Sequence, residues 1–76
     1  MNIQEQVFQK IADVRGVDPS TLSPQTTFME IGADSLDMVE FSIDLEDAFG
    51  ISIGQQDIAS IKNLGQAVEF IEKNKK

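Results

Sequence analysis

Ser35 stands between Asp34 and Leu36, with Asp37 two residues on and Glu40 a further helical turn away. The groups that usually activate a serine are missing. The chain has no histidine and no cysteine, so the familiar nucleophile–base pairs cannot be assembled, and carboxylates alone are poor bases for a hydroxyl. A carboxylate pair could do acid–base work, but every acid sits where solvation is expected, and a small bundle has little room for a closed pocket. Asp34, Asp37 and Glu40 could gather oxygens around a divalent cation, yet the ordered ligand ladder of a calcium-binding loop is absent. Weak Ca²⁺ or Mg²⁺ binding that relieves acidic repulsion is the most this spacing predicts, with no dedicated metal site. The place of Ser35 at a helix start reads instead as that of an attachment point. Gly32-Ala33 is a flexible approach, Asp34 is a good N-cap, and Asp37 can reach back to it in the manner of a capping box. Ser35 then falls in the first helical turn, where backbone N–H groups are unpaired, and is expected to bear a prosthetic group.

The elements that must hold this serine follow from periodicity. Ile3, Val7, Ile11 and Val14 recur at helical spacing between polar residues, predicting an amphipathic first helix of about a dozen residues ended by Gly16. Residues 17–32, with Pro19, Pro24 and a polar cluster, read as one long loop, a length that is often functional; Leu22, Phe28 and Ile31 are its expected anchors. A second helix is predicted over Ser35–Phe49, ending at Gly50. Residues 55–61 make a short third helix with Ile58 and Ile61 inward. Asn63 with Gln66 opens a last helix carrying Leu64, Ala67, Val68 and Ile71 on its inner face, with Lys73, Lys75 and Lys76 near its end. Residues 1–76 are thus expected to form a single all-α domain, a small four-helix bundle of three longer helices and one short one with a long loop after the first.

On a helical wheel the second helix carries two apolar stripes. Met38, Phe41, Leu45, Ala48 and Phe49 form the expected core face, while Leu36, Val39 and Ile43 lie nearly opposite. Asp37, Glu40, Asp44 and Asp47 edge the second stripe on one side and Glu46 on the other. A helix packed on one side needs only one apolar stripe. The second, rimmed by acids that repel one another at helical spacing, reads as a surface for a partner: apolar contact in the middle, charge steering at the edge.

Thirteen acidic residues against six basic ones give a formal charge of −7, and no Lys or Arg occurs between Arg15 and Lys62. That argues against nucleic acid and anionic membranes as ligands and favours partners with basic surfaces. No apolar run is long enough to span a bilayer, the first residues do not read as a signal peptide, and no thiols report on redox compartment.

The stretch Phe28-Met29-Glu30-Ile31-Gly32-Ala33-Asp34-Ser35-Leu36-Asp37-Met38-Val39-Glu40 resembles the modification-site signature of bacterial-type acyl carrier proteins. The likeness spans the chain, including the Gly16-Val17 step, the Phe49-Gly50 helix end and the Asn63-Leu64-Gly65-Gln66-Ala67 helix start. The resemblance implies that Ser35 receives 4′-phosphopantetheine from coenzyme A through a separate phosphopantetheinyl transferase. The arm's thiol would carry acyl groups as thioesters between enzymes of fatty acid biosynthesis, and the carrier would have no catalytic residues of its own. It also implies that Asp34, Asp37, Glu40, Glu46 and Asp47 supply the charge that docks on basic patches of synthases, reductases and acyltransferases. Leu36, Val39 and Ile43 would supply the apolar contact, and the helical core would open to hold the acyl chain. Asp44 adds a charge where the family is often apolar or small. Gly54 replaces a common proline, Gln55-Gln56-Asp57 is less acidic than is typical, and Glu30-Ile31 replaces the more usual Asp-Leu. These departures keep open a specialised carrier for polyketide or modified-lipid assembly. A rival of another class is an unmodified acidic docking module of the same fold. The expected setting is a monomer in the cytoplasm without stable membrane association, or an organellar stroma or matrix if a transit peptide has been removed.

Overall fold

A computed structural model describes residues 2–75 and contains four α-helices: α1 (Ile3–Arg15), α2 (Ser35–Phe49), α3 (Gln55–Ser60) and α4 (Leu64–Asn74). Each boundary has a local cause. Asn2 caps α1 by accepting the Glu5 N–H at 2.7 Å. Gly16 ends the helix in the left-handed conformation that side-chain-bearing residues avoid (φ 68°), and Val17 N–H returns to the Ala12 carbonyl. Gly50 stops α2 in the same way. Asn63 and Gln66 exchange side-chain and backbone bonds at the start of α4, as their spacing predicts. No helix among the described residues is long and apolar enough to cross a membrane. Lys75 lies just past the end of α4, and Lys76 lies outside the described residues.

α1 packs against both α2 and α4, and α3 rests on α2. The core joins Val7 and Ile11 of α1, Phe41 and Leu45 of α2, and Leu64, Ala67, Val68 and Ile71 of α4. Being covered on two sides, α1 buries a wider stripe than its 3-7-11-14 pattern predicts. Phe8 and Ala12 join the buried face, while Ile3 and Val14 are only half-buried at its margin. Ala48, expected on the core face of α2, is exposed: it lies at the border of that stripe and its single methyl does not reach inward. α3 has no fully buried residue; Ile58 is half-buried, and Ile61, just past the helix, enters the core.

The long loop holds one 3₁₀ turn at Pro19–Thr21 and is stitched to the start of α4. Phe28 N–H donates to the Lys62 carbonyl, Leu64 N–H to Thr26 and Gly65 N–H to Pro24. Phe28 then drops into the core, its ring centroid 5.5 Å from that of Phe41 in a tilted pair, while Leu22 and Ile31 pack half-buried beside the core. Tied to the start of α4 by three backbone hydrogen bonds and anchored in the core by Phe28, the loop delivers Gly32 and the start of α2 to a defined place.

Candidate functional site

Ser35 is the first residue of α2 and is exposed. Asp34 and Asp37 form the reciprocal capping box their spacing predicts. Asp34 Oδ1 accepts the Asp37 N–H at 2.9 Å, and Asp37 Oδ2 accepts the Asp34 N–H at 3.2 Å. The cap uses the Asp37 N–H, and Met38 N–H bonds the Asp34 carbonyl. The N–H groups of Ser35 and Leu36 therefore remain at the positive end of the helix for whatever anion is brought there. None of the hydrogen bonds of the cap uses the Ser35 hydroxyl.

Beside Ser35 lies an open groove of about 710 Å³ between α2 and α3. Ser35 itself, Met38, Val39 and Ser42 of α2, Ile58 and Ala59 of α3, and Phe28 from the loop are on its walls. Ser42 is buried and silences its hydroxyl by donating to the Val39 carbonyl at 2.7 Å, so it presents little polarity to the groove. Met38, expected to pack in the core, is half-buried because it faces this space.

The second stripe of α2 is at the surface: Leu36 is 65%, Val39 51% and Ile43 49% exposed. Met29, from the loop, is 88% exposed and also lines the groove. These four are the large apolar side chains exposed among the described residues. Helical periodicity picks out the first three. Met29 sits in a loop, where no periodicity flags it.

The acids divide into two groups. Glu40 and Asp47 are exposed and Asp44 half-buried, and none of the side-chain hydrogen bonds described here engages them. Asp34 is exposed but gives one oxygen to the cap. Asp37 and Glu46, read from the sequence as docking charges, are occupied inside the protein. Asp37 is half-buried and also receives Arg15 Nη1 at 3.0 Å, while Glu46 Oε2 accepts the Ile53 N–H at 2.8 Å and so holds the link between α2 and α3. Neither partnership is visible in sequence, since they join positions 22 and 7 residues apart. Behind the site, Glu30 is held below its ordinary carboxylate value by the Thr27 N–H at 2.9 Å and then by the Thr27 hydroxyl, which closes the turn before Gly32.

Residues 5–71 match the family model described as the phosphopantetheine attachment site. The acyl carrier protein of Solidesulfovibrio magneticus is 38% identical over 76 residues, covering 99% of this chain and 97% of that one. The meromycolate extension acyl carrier protein of Mycobacterium tuberculosis is 35% identical over 75 residues, which cover 92% of this chain but only 65% of the relative's length. The apo doublet acyl carrier protein from prodigiosin biosynthesis has a TM-score of 0.83 over 96% of this chain and 36% of its own, at 22% identity. At that identity the likeness is one of fold.

Proposed function

Since the chain belongs to the acyl carrier proteins, a family of non-catalytic carriers built around a phosphopantetheine attachment site, we propose that Ser35 is the residue that takes the arm. One observation carries this reading: an exposed hydroxyl in the first turn of α2, flanked as Asp34-Ser35-Leu36, opens directly onto an apolar groove. The residues fit the group. A phosphodiester on Ser35 meets the unpaired N–H groups and positive end of α2, and the arm supplies the thiol that this cysteine-free chain lacks. From there the chain's own residues do the rest. Met38, Val39 and Ile58 offer an apolar wall along which an acyl chain can be withdrawn from water, at roughly 0.8 kcal/mol per buried methylene. Leu36, Val39 and Ile43 offer partner enzymes an apolar contact, and Glu40, Asp44 and Asp47 steer basic patches towards it.

Within the family, we assign the chain to fatty acid synthesis. The apolar lining of the groove favours a plain hydrocarbon chain over the oxygen-rich chain of a polyketide, whose carbonyls would be buried without partners. Modified-lipid assembly is the second reading, favoured by the similarity to a meromycolate extension carrier. Intact mass after incubation with coenzyme A and a phosphopantetheinyl transferase tests the attachment. One phosphopantetheine is expected on the wild type and none on Ser35→Ala. An unmodified wild type beside a loaded control carrier would leave an acidic docking module instead. Thioesters trapped on the protein from its own cell decide between the pathways.

A further inference from the structure

We infer that Arg15 is a positioning residue for the loading of Ser35, an inference that rests on the carrier reading above. Arg15 ends α1, and its guanidinium reaches two distant points of the chain at once. Nε donates to the Ile31 carbonyl at 2.9 Å, and Nη1 donates to Asp37 Oδ2 at 3.0 Å, the same oxygen that accepts the Asp34 N–H. Gly32 passes directly against the third nitrogen: a Cβ built there would lie 3.2 Å from Nη2, and its φ of 73° also favours glycine. One planar cation thus brackets residues 31–37, with Ser35 inside the bracket. The other ion pair among the described residues, Lys73–Glu69, lies within α4 and joins nothing distant.

The fork matters more than the charge. A guanidinium presents fixed, divergent donors and can serve a carbonyl and a carboxylate together, whereas an ammonium is a point donor on a flexible stem. A helix start frays unless something holds it, and a modifying enzyme that needs Ser35 in one attitude binds only the fraction of molecules that present it. Removing Arg15 also frees the Asp37 charge, which raises the acidity of the docking face. Steering alone therefore predicts better loading when Arg15 is lost, and positioning predicts worse. The two effects have opposite signs.

The test is the steady-state kinetics of phosphopantetheine loading, with coenzyme A saturating, on the wild type, Arg15→Ala, Arg15→Lys and the core variant Ile71→Val, well below all melting temperatures. Amide exchange at residues 32–37 is followed in parallel. We expect Arg15→Ala to lose about tenfold in kcat/KM, the scale of one partly exposed charge-assisted hydrogen bond, with faster exchange at those amides. Arg15→Lys should recover less than half of the loss. Ile71→Val, which removes one buried methylene from α4, should melt earlier yet load like the wild type. Wild-type kcat/KM in Arg15→Ala, a gain, unchanged amide exchange, or an equal loss in Ile71→Val would each overturn the inference. A wild type that takes no phosphopantetheine would sink the carrier reading itself.

Discussion

Truncating Leu36 to alanine should weaken docking of the phosphopantetheinyl transferase while leaving the fold intact. Fully burying a leucine side chain stabilises by roughly 2 kcal/mol. Leu36 is 65% exposed in the free protein, so about 1.3 kcal/mol of that remains to be gained on contact. The alanine keeps its Cβ, which leaves a loss of about 1 kcal/mol, or roughly fivefold in Kd. Val39 and Ile43, each about half exposed, should lose two- to threefold apiece, and the triple variant about thirtyfold if the three act independently. The assay is calorimetric titration of each variant with the transferase at one fixed salt concentration, with a thermal melt of each variant alone. The melts should stay close to wild type, because these side chains contribute little to the core. Two results would refute the reasoning: unchanged affinity in the triple variant, or a large fall in melting temperature, which would show that the stripe is packed within the bundle.

The acids give a second expectation. Glu40, Asp44 and Asp47 repel at helical spacing by a few tenths of a kcal/mol per pair, so raising salt, or adding Mg²⁺, should lift the melting temperature by about 3 °C, read by circular dichroism; a flat response would mean that the charges are already screened. Glu40→Lys should weaken docking without loss of helicity, whereas Asp37→Lys should also destabilise the start of α2, because it removes the partner of both Arg15 and the Asp34 N–H. Ser42→Leu should fill part of the groove: the unloaded protein should melt no earlier, while the rise in melting temperature on loading an octanoyl chain should shrink by at least half, measured on matched loaded and unloaded samples. Glu30 is held below its ordinary 4.5, so the stability it confers is complete above that pH and disappears as pH falls through the folded value. Nuclear magnetic resonance of the Glu30 carboxyl and the Thr27 amide should follow one low titration, absent in Glu30→Gln, and a midpoint at or above 4.5 would contradict the assignment.

Much of this carrier is legible without coordinates because its information is local. Hydrophobic spacing marks α1, α2 and α4, glycines at positions 16 and 50 mark two helix ends, and the Asp34–Asp37 and Asn63–Gln66 pairs announce caps that the structure forms. The apolar stripe of Leu36, Val39 and Ile43 could be read as a free face, since the opposite stripe alone suffices for the core. The groove could not be read. It lies between α2 and α3, and α3 buries no residue fully, a matter of how elements meet rather than of any one pattern. The tie of Asp37 to Arg15 and that of Glu46 to Ile53 were equally hidden, for a carboxylate on a wheel looks the same whether it faces solvent or a donor brought in from another element.

The amino-acid order alone therefore determined where α1 and α2 end, where α2 and α4 begin, and which serine stands at a helix tip, because those facts depend on residue identity and near-neighbour spacing. Tertiary structure alone decided which acids remain available to a partner, that Arg15 ties α1 to both flanks of Ser35, and that an apolar groove opens beside that serine. Those facts arise from contacts between segments far apart in the chain, whose meeting is settled by the packing of the whole bundle.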